Sequence, residues 1–147
     1  MNQHQQVFHN LVVTMRPFDT QLSEILRSLG IQRSEWSVLY SVIHEPDITA
    51  VELAKNLTFE KPNMTRIIKD LTNAGYIEVE TSAEDKRRKK LRITPLGKEK
   101  YLEARVTIDA FEKAILEGVS AEDQKHLLRI MEQMRKNLNK RVGYKNE

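Results

Sequence analysis

The fold of this chain is decided by residues 49–97, which read TAVELAKNLTFEKPNMTRIIKDLTNAGYIEVETSAEDKRRKKLRITPLG. Thr49 and Glu52 form the pattern of a capping box, in which each side chain satisfies a backbone N–H at the start of a helix. The helix predicted there has three apolar residues at the spacing of one buried face: Val51, Ala54 and Leu57. Thr58 and Phe59 then predict a turn.

A second helix is predicted over residues 61–74. Pro62 lies in its first turn, where the missing N–H of proline does no harm, and Gly75 stands where a helix end favours a positive φ. Four apolar residues have helical spacing and should pack inward: Met64, Ile67, Ile68 and Leu71. The opposite face is polar and basic and should be exposed: Lys61, Asn63, Thr65, Arg66, Lys69 and Asn73.

Two short strands are predicted after this helix, at residues 76–80 and 91–93, and a basic loop at 82–90 joins them. Thr94 and Pro95 have the cap and first-turn preferences of a further helix. The succession of helix, turn, helix, strand, loop and strand predicts a winged helix-turn-helix.

The flanking sequence predicts mainly helices. Residues 3–29 have apolar positions at helical spacing, and Pro17 either bends one helix or begins a second. A short strand at residues 47–48 is expected to pair with the wing. The remaining helices are expected at residues 34–44 with Ser34 as the cap, at 95–117 and at 121–141.

We predict one domain, residues 1–147, that is mainly α with a small β wing. Residues 33–97 would form the winged helix-turn-helix reader, and residues 3–29 and 98–141 would form flanking dimerisation helices. The apolar faces of both terminal segments are larger than one small reader can cover. A second copy of the chain is therefore expected to cover them.

The wing contains the pattern D-x-R-x-x-x-L-x-I-T, followed by Gly97; its defined residues are Asp85, Arg87, Leu91, Ile93 and Thr94. Upstream, residues 63–68 (NMTRII) and Leu71 precede the helix exit at residues 75–77 (GYI). With these motifs the stretch resembles the DNA-binding domain of the MarR family of bacterial transcription regulators. The resemblance is strong here and looser over the flanking helices, and it implies that the terminal helices interlock in a homodimer.

Composition narrows the functional class. The 147 residues are 39% hydrophobic and 31% charged and include no cysteine, which excludes disulfides, thiol nucleophiles and thiolate metal sites. No apolar run approaches the length of a membrane span, and the first ten residues lack the pattern of a secretory signal. We therefore expect a cytoplasmic protein that does not contact a membrane.

The charge is unevenly distributed along the chain, whose net charge is +3. Residues 49–100 contain 12 Lys and Arg against 8 Asp and Glu, whereas the remainder contains 12 against 13. The positive excess lies in the winged region, so double-stranded DNA is the expected partner. The residues expected to contact it are Lys61, Pro62, Asn63, Thr65, Arg66, Lys69, Asp85, Lys86, Arg87 and Arg88.

The helix over residues 61–74 is expected to enter the major groove of a pseudo-palindromic operator. Arg66 could read guanine, hold a phosphate or pair with the acidic part of the wing. The resemblance gives Arg87 the role of the wing arginine that enters the minor groove, and Asp85 would orient Arg87 or Arg66. We expect a repressor that a small ligand releases; a winged helix used for protein or RNA contact is the alternative.

The sequence gives little indication of catalysis, of a metal site or of a ligand cavity. No nucleophile elbow, glycine-rich phosphate loop or paired-carboxylate motif is present, so we predict neither an enzyme nor a cofactor. Four histidines lack metal-ligand spacing: His4, His9, His44 and His126. Four residues could line a cavity for a small aromatic or apolar anion, although core packing is the commoner role of such residues: Met15, Phe18, Trp36 and Tyr40.

Overall fold

The computed structural model describes residues 1–81, 83–84 and 88–145, with the backbone alone for residues 142–145. The predicted order of elements is confirmed, and the fold is mainly α with a small β wing. The elements are α1 (Gln3–Ser28), α2 (Arg33–His44), α3 (Ala50–Leu57), α4 (Lys61–Asn73), β1 (Ile77–Thr81), β2 (Lys89–Ile93), α5 (Pro95–Ile115) and α6 (Ala121–Lys145).

The described chain forms two compact units, Met1–Asp109 and Ala110–Glu147, and the boundary between them falls inside α5. Within the second unit, Ser120 caps α6 because its Oγ accepts a hydrogen bond from the Asp123 N–H at 3.1 Å. Several large apolar side chains of α6 are exposed: Leu127, Leu128, Ile130 and Leu138. Among the helices of the described residues, none is both long enough and apolar enough to cross a membrane.

Helix α1 is one continuous helix with Pro17 inside it, so of the two predicted alternatives the single helix is observed. Its C-terminal half is anchored by the buried Leu22 and Leu26. Its N-terminal half exposes apolar side chains: Val7, Phe8, Leu11, Val12, Val13 and Met15. The helix therefore has one end packed into the first unit and one end whose apolar side chains the first unit leaves exposed.

Helix α2 ends at His44, before Pro46, as predicted, but its predicted cap is wrong. Ser34 lies inside the helix, and the N-cap is Gln32. The backbone N–H of Gln32 donates to Oε1 of Glu35 at 2.9 Å. The Glu35 carboxylate, rather than the Ser34 hydroxyl, therefore satisfies a backbone N–H at the start of this helix.

Helix α3 confirms the Thr49–Glu52 capping box and corrects its predicted buried face. Each of the two side chains accepts a hydrogen bond from the other residue's N–H, at 3.1 and 3.2 Å. However, Val51 is 73% exposed, whereas Leu53 is completely buried. These two residues lie about 200° apart around the helix, so the helix can bury only one of them.

Helix α4 packs as predicted, with Met64, Ile67 and Leu71 buried and Ile68 partly buried. They join a core that takes residues from every element of the winged region and from α2: Val38, Leu39, Val42, Ile48, Leu53, Ile77 and Leu91. The helix is thus held on one side by contacts with α2, α3 and β1.

The wing is an antiparallel pair in which Ile77 is opposite Ile93 and Val79 is opposite Leu91. The strand predicted at residues 47–48 is not formed, and its pairing with the wing is reduced to one hydrogen bond from Leu91 and an isolated bridge at Thr49. The Leu91 N–H donates to the Ile48 carbonyl at 2.9 Å, and Thr49 forms a bridge with Lys90. The segment before α3 is therefore bound directly to the returning strand of the wing.

The two ends of the wing meet at a tight corner. Gly75 has the predicted positive φ, 81°, and its carbonyl accepts a hydrogen bond from Oγ1 of Thr94 at 2.5 Å. Oγ1 of Thr94 also caps α5, because it accepts a hydrogen bond from the Gly97 N–H at 3.0 Å. A Cβ on Gly97 would lie 2.0 Å from the carbonyl oxygen of Tyr76. Only glycine therefore allows α5 to approach the α4–β1 turn this closely.

This contact generates a stability prediction. Gly97→Ala should lower the free energy of unfolding by about 3 kcal/mol or more, because the clash is with backbone that cannot rotate away. Lys98→Ala, one residue along the same helix and exposed, should change it by less than about 0.5 kcal/mol. Urea unfolding followed by circular dichroism measures both variants. Equal stability of the two would contradict the packing described here.

Candidate nucleic-acid interface

The exposed face of α4 is set by its buried face. Because the apolar side chains occupy one side of a 3.6-residue period, the intervening polar residues must point outward. Lys61, Pro62, Thr65, Arg66 and Lys69 are exposed, and Asn63 is half-buried. The structure thus brings together, on one helical surface, all six of the residues that the sequence predicted for this helix.

The N-terminus of α4 is open to an anion. Its N-cap, Glu60, makes no side-chain hydrogen bond to the first turn, and that turn contains no acidic residue. Pro62 occupies the first turn without needing a partner for an N–H. Free N–H groups and the helix dipole at such an end favour a phosphate, and Lys61 adds a charge beside it.

Arg66 has a partner that the sequence analysis did not include. Its Nη2 donates to Oδ1 of Asn63 at 2.6 Å, one helical turn toward the N-terminus of α4. This bond holds the planar guanidinium over the first turn of the helix. It also commits the amide oxygen of Asn63, so that the NH₂ group of that amide is left to donate outward.

Thr65 is also oriented locally. Its Oγ1 donates to the carbonyl of Lys61 at 2.9 Å, which leaves the lone pairs of the hydroxyl and the methyl group facing outward. Lys69, one turn further on, is an exposed cation. The face therefore offers an amide donor, a methyl group, a hydroxyl acceptor and cations along about two helical turns.

The predicted wing contacts are described only in part. Asp85, Lys86 and Arg87 lie outside the described residues, so the roles given to them stay predictions. Arg88 is described and exposed. The strands β1 and β2 belong to the same compact unit as α4.

Arg92, the last cation of the basic run, has two acidic partners that the sequence did not predict. Its Nε lies 3.2 Å from Oδ1 of Asp47, and its Nη2 lies 3.0 Å from Oε2 of Glu80. Alternation in β2 was the available signal, because it places Arg92 on the face opposite the buried Leu91, where Glu80 also lies.

The residues predicted to line a ligand cavity are differently placed. Trp36 is 4% exposed and its ring stacks on Tyr101 at 5.0 Å between centroids, which is a core position. Tyr40 is 45% exposed and stacks on His44 at 4.1 Å. Met15 is exposed and Phe18 is half-buried, both on α1. Within the described residues, no three histidine or carboxylate side chains are grouped as metal ligands.

Comparison with known proteins gives a consistent result. A family model described as the MarR family matches residues 29–88. An uncharacterized HTH-type transcriptional regulator of Staphylococcus aureus strain MSSA476 is 28% identical over 134 residues, covering 90% of this chain and 92% of the relative. A regulator of the same description from strain N315 is 27% identical over 132 residues, covering 88% and 90%.

Solved structures show the same fold. MarR of Staphylococcus aureus in complex with salicylate and kanamycin superposes with a TM-score of 0.81 at 27% identity, covering 93% of each chain. A MarR/EmrR family transcriptional regulator from Acinetobacter sp. ADP1 superposes with a TM-score of 0.80 at 22% identity, covering 95% of this chain and 99% of the other. The second comparison supports the fold alone.

The stacked pair in α2 and α5 yields a prediction about stability. Tyr101→Leu should lower the free energy of unfolding by about 2 kcal/mol, because it removes an aromatic stack as well as buried area. Tyr40→Leu, at the more exposed ring of the cluster, should cost less than about 1 kcal/mol. Trp36 is the single tryptophan of the chain, so its fluorescence reports urea unfolding directly. A larger loss for Tyr40→Leu would contradict the core role of the Trp36–Tyr101 pair.

Proposed function

We propose that this chain is a transcription regulator of the MarR type, whose family model matches residues 29–88, and that it binds a pseudo-palindromic DNA operator as a homodimer and represses transcription until a small ligand releases it. The chain is a winged-helix regulator and not an enzyme. Repression, release and the residue roles below are the proposal, together with a cytoplasmic location, where a bacterial regulator meets its DNA.

The observation that carries the proposal is the rigid presentation of α4. Its inner face is fixed in the core by Met64, Ile67 and Leu71, while its outer face carries oriented polar groups and cations. A helix of this kind fits the major groove of B-DNA, where side-chain donors and acceptors meet the edges of bases. Positions on a well-packed helix also keep their geometry better than positions on a loop.

Within that groove we assign roles by geometry. The open N-terminus of α4, with Lys61 and Pro62, holds a phosphate. Asn63, Thr65 and Arg66 face base edges, and the bond from Arg66 to Asn63 favours a base contact by Arg66 over a pairing with the wing. Lys69 neutralises a second phosphate.

For the wing we retain the roles that the family motif implies. Arg87 enters the minor groove, where a narrow groove concentrates negative potential. Asp85 orients it, and Lys86 and Arg88 contact phosphates. The three contacts made by Lys86, Arg87 and Arg88 extend the interface from one groove to the next.

A homodimer is supported by the apolar surfaces that each unit leaves exposed. The N-terminal half of α1 and one side of α6 expose large aliphatic and aromatic side chains. Surfaces of this kind are unfavourable in water and mark interfaces between chains. We propose that a second copy covers them, so that residues 3–29 and 98–141 serve dimerisation while residues 33–97 read DNA.

A small aromatic or apolar anion is the proposed releasing ligand. The Staphylococcus aureus MarR structure, which is 27% identical to this chain, contains salicylate and kanamycin. Here the exposed Tyr40 ring offers a flat apolar surface, whereas the buried Trp36 serves the core. Of the four residues predicted to contact a ligand, we therefore keep Tyr40, Met15 and Phe18 as contacts and Trp36 as support.

The direct test is selection of bound duplexes from a random pool. We expect a motif with two inverted half-sites about one helical turn apart, because a symmetric dimer places two α4 helices in successive major grooves. Binding of the selected duplex should survive an excess of tRNA in a gel shift. Competition by tRNA, or a pool that yields no motif, would instead support the alternative of RNA or protein contact.

Repeating the selection with Arg66→Ala tests whether Arg66 reads a base, and Lys69→Ala is its control. Loss of a bidentate base contact should relax the motif at about one base pair in each half-site and cost about 1–3 kcal/mol there. Lys69→Ala should weaken binding to all duplexes alike, because a phosphate contact carries no sequence information.

A second prediction concerns assembly. At micromolar concentration the protein, 17.2 kDa per chain, should sediment as a dimer. Leu11→Glu and Leu127→Glu should both dissociate and unfold it, since each places a charge in the covered apolar surface. Val51→Glu provides the control, because Val51 is apolar and even more exposed but lies on α3, outside these surfaces. A well-folded wild-type monomer would contradict the dimer.

A further inference from the structure

We infer that Arg92 is a positioning residue that ties the wing to the segment leading into α3, and that it does not neutralise a DNA phosphate as the other cations of the basic run would. The inference rests on the proposed function in so far as it concerns DNA. Its structural part concerns the free protein and can be tested without DNA.

The backbone places Arg92 where β1, β2 and the segment before α3 meet. Leu91 is fully buried and its N–H donates to the carbonyl of Ile48, which joins the segment before α3 to β2. The side chain of Arg92 must therefore emerge on the opposite, exposed face of the sheet. On that face Glu80 of β1 flanks it on one side, and Asp47 flanks it on the other.

The guanidinium uses different nitrogens for the two carboxylates. Nε faces Asp47 at 3.2 Å and Nη2 faces Glu80 at 3.0 Å. One rigid, planar group thus connects two chain segments that are 33 residues apart in sequence and lie on either side of β2. All three side chains are about half exposed, so each pair by itself is weak, but the shared planar group couples them.

The backbone conformation of Asp47 is a second observation that supports the pairing of Asp47 with Arg92. Asp47 has a positive φ of 65°, one of two such non-glycine residues in the described chain. Aspartate and asparagine tolerate this conformation better than other side-chain-bearing residues. It turns the chain after α2 so that Ile48 enters the core while the Asp47 carboxylate reaches Arg92.

Arg92 is expected to affect DNA binding through the position that it gives to β2 and not through its own charge. Two carboxylates already surround the guanidinium of Arg92, so it offers little net positive potential to a phosphate. Its contribution is instead to hold β2 at a set position relative to β1 and to the segment that leads into α3. Loss of Arg92 should allow the pairing of Ile48 with Leu91 to open more often.

The first experiment measures the free protein. Amide hydrogen exchange of Leu91 should accelerate about threefold to tenfold in Arg92→Ala and in Asp47→Asn, because weak surface pairs hold this opening closed. Asparagine is chosen at position 47 because it keeps the side-chain shape and tolerates positive φ. Lys89→Ala, at an exposed cation of the same strand, is the control and should leave this exchange rate unchanged.

The second experiment measures affinity for the selected operator as a function of salt. Arg92→Ala and Asp47→Asn should each weaken binding about threefold to tenfold, and their effects should not add in the double variant. The slope of log K against log salt should stay near that of the wild type for Arg92→Ala, whereas Lys89→Ala should lower it by about 0.9. Arg92→Lys should bind with intermediate affinity, because a single ammonium cannot face both carboxylates with two fixed nitrogens.

The sign of the Asp47→Asn effect separates the two roles of Arg92. If Arg92 were a phosphate contact, removing a nearby negative charge would tighten DNA binding. Tighter binding by Asp47→Asn, or unchanged exchange of the Leu91 amide in Arg92→Ala, would overturn the inference. If the wild type bound no duplex at all, the proposed function would fail, and the exchange measurement alone would still decide whether Arg92 holds the junction.

Discussion

The structure depends on the burial of one face of α4. Met64, Ile67 and Leu71 are almost completely buried, and each such side chain contributes about 1.5–3 kcal/mol when it leaves water. Residues from α2, α3 and both wing strands surround them, so the helix cannot rotate without opening the core. The direction in which Arg66 and Lys69 point is a consequence of this burial, since the two faces of one helix are rigidly related.

Hydrogen bonds and close backbone contacts then bind the wing to the same core. The Thr94 hydroxyl joins the turn after α4 to the start of α5, and the absence of a side chain on Gly97 lets these segments touch. On the other side, Ile48 pairs with Leu91 immediately before α3 begins. The wing strands are therefore anchored at both edges to the elements that hold α4.

The basic run illustrates how a count of charges differs from a map of potential. Lys86 to Arg92 contribute six cations within seven residues, and a count of charges alone does not distinguish one from another. In the folded chain Arg92 faces Asp47 and Glu80, whereas Arg88 and Lys89 face solvent. The surface potential available to a polyanion depends on which cations have acidic neighbours, and those neighbours come from other strands.

The sequence by itself determined the elements and their ends wherever the cause is local. The Thr49–Glu52 box, the positive φ of Gly75, the Thr94 cap and the inward stripe of α4 all depend on residues within one or two turns, and the structure confirms each. The family motif likewise indicated the winged helix-turn-helix from neighbouring residues. The candidate face of α4 followed, because its exposed residues are those that the stripe leaves out.

Only the tertiary structure decided the contacts between distant residues. Leu53 rather than Val51 is buried on α3, because the choice depends on which side meets the core. Trp36 stacks on a tyrosine 65 residues away, and Arg92 pairs with an aspartate 45 residues before it. A periodic pattern predicts that a helix has an apolar face, and a charge run predicts a group of neighbouring cations. Which partner each meets depends on how the helices and strands pack, and no local preference encodes that.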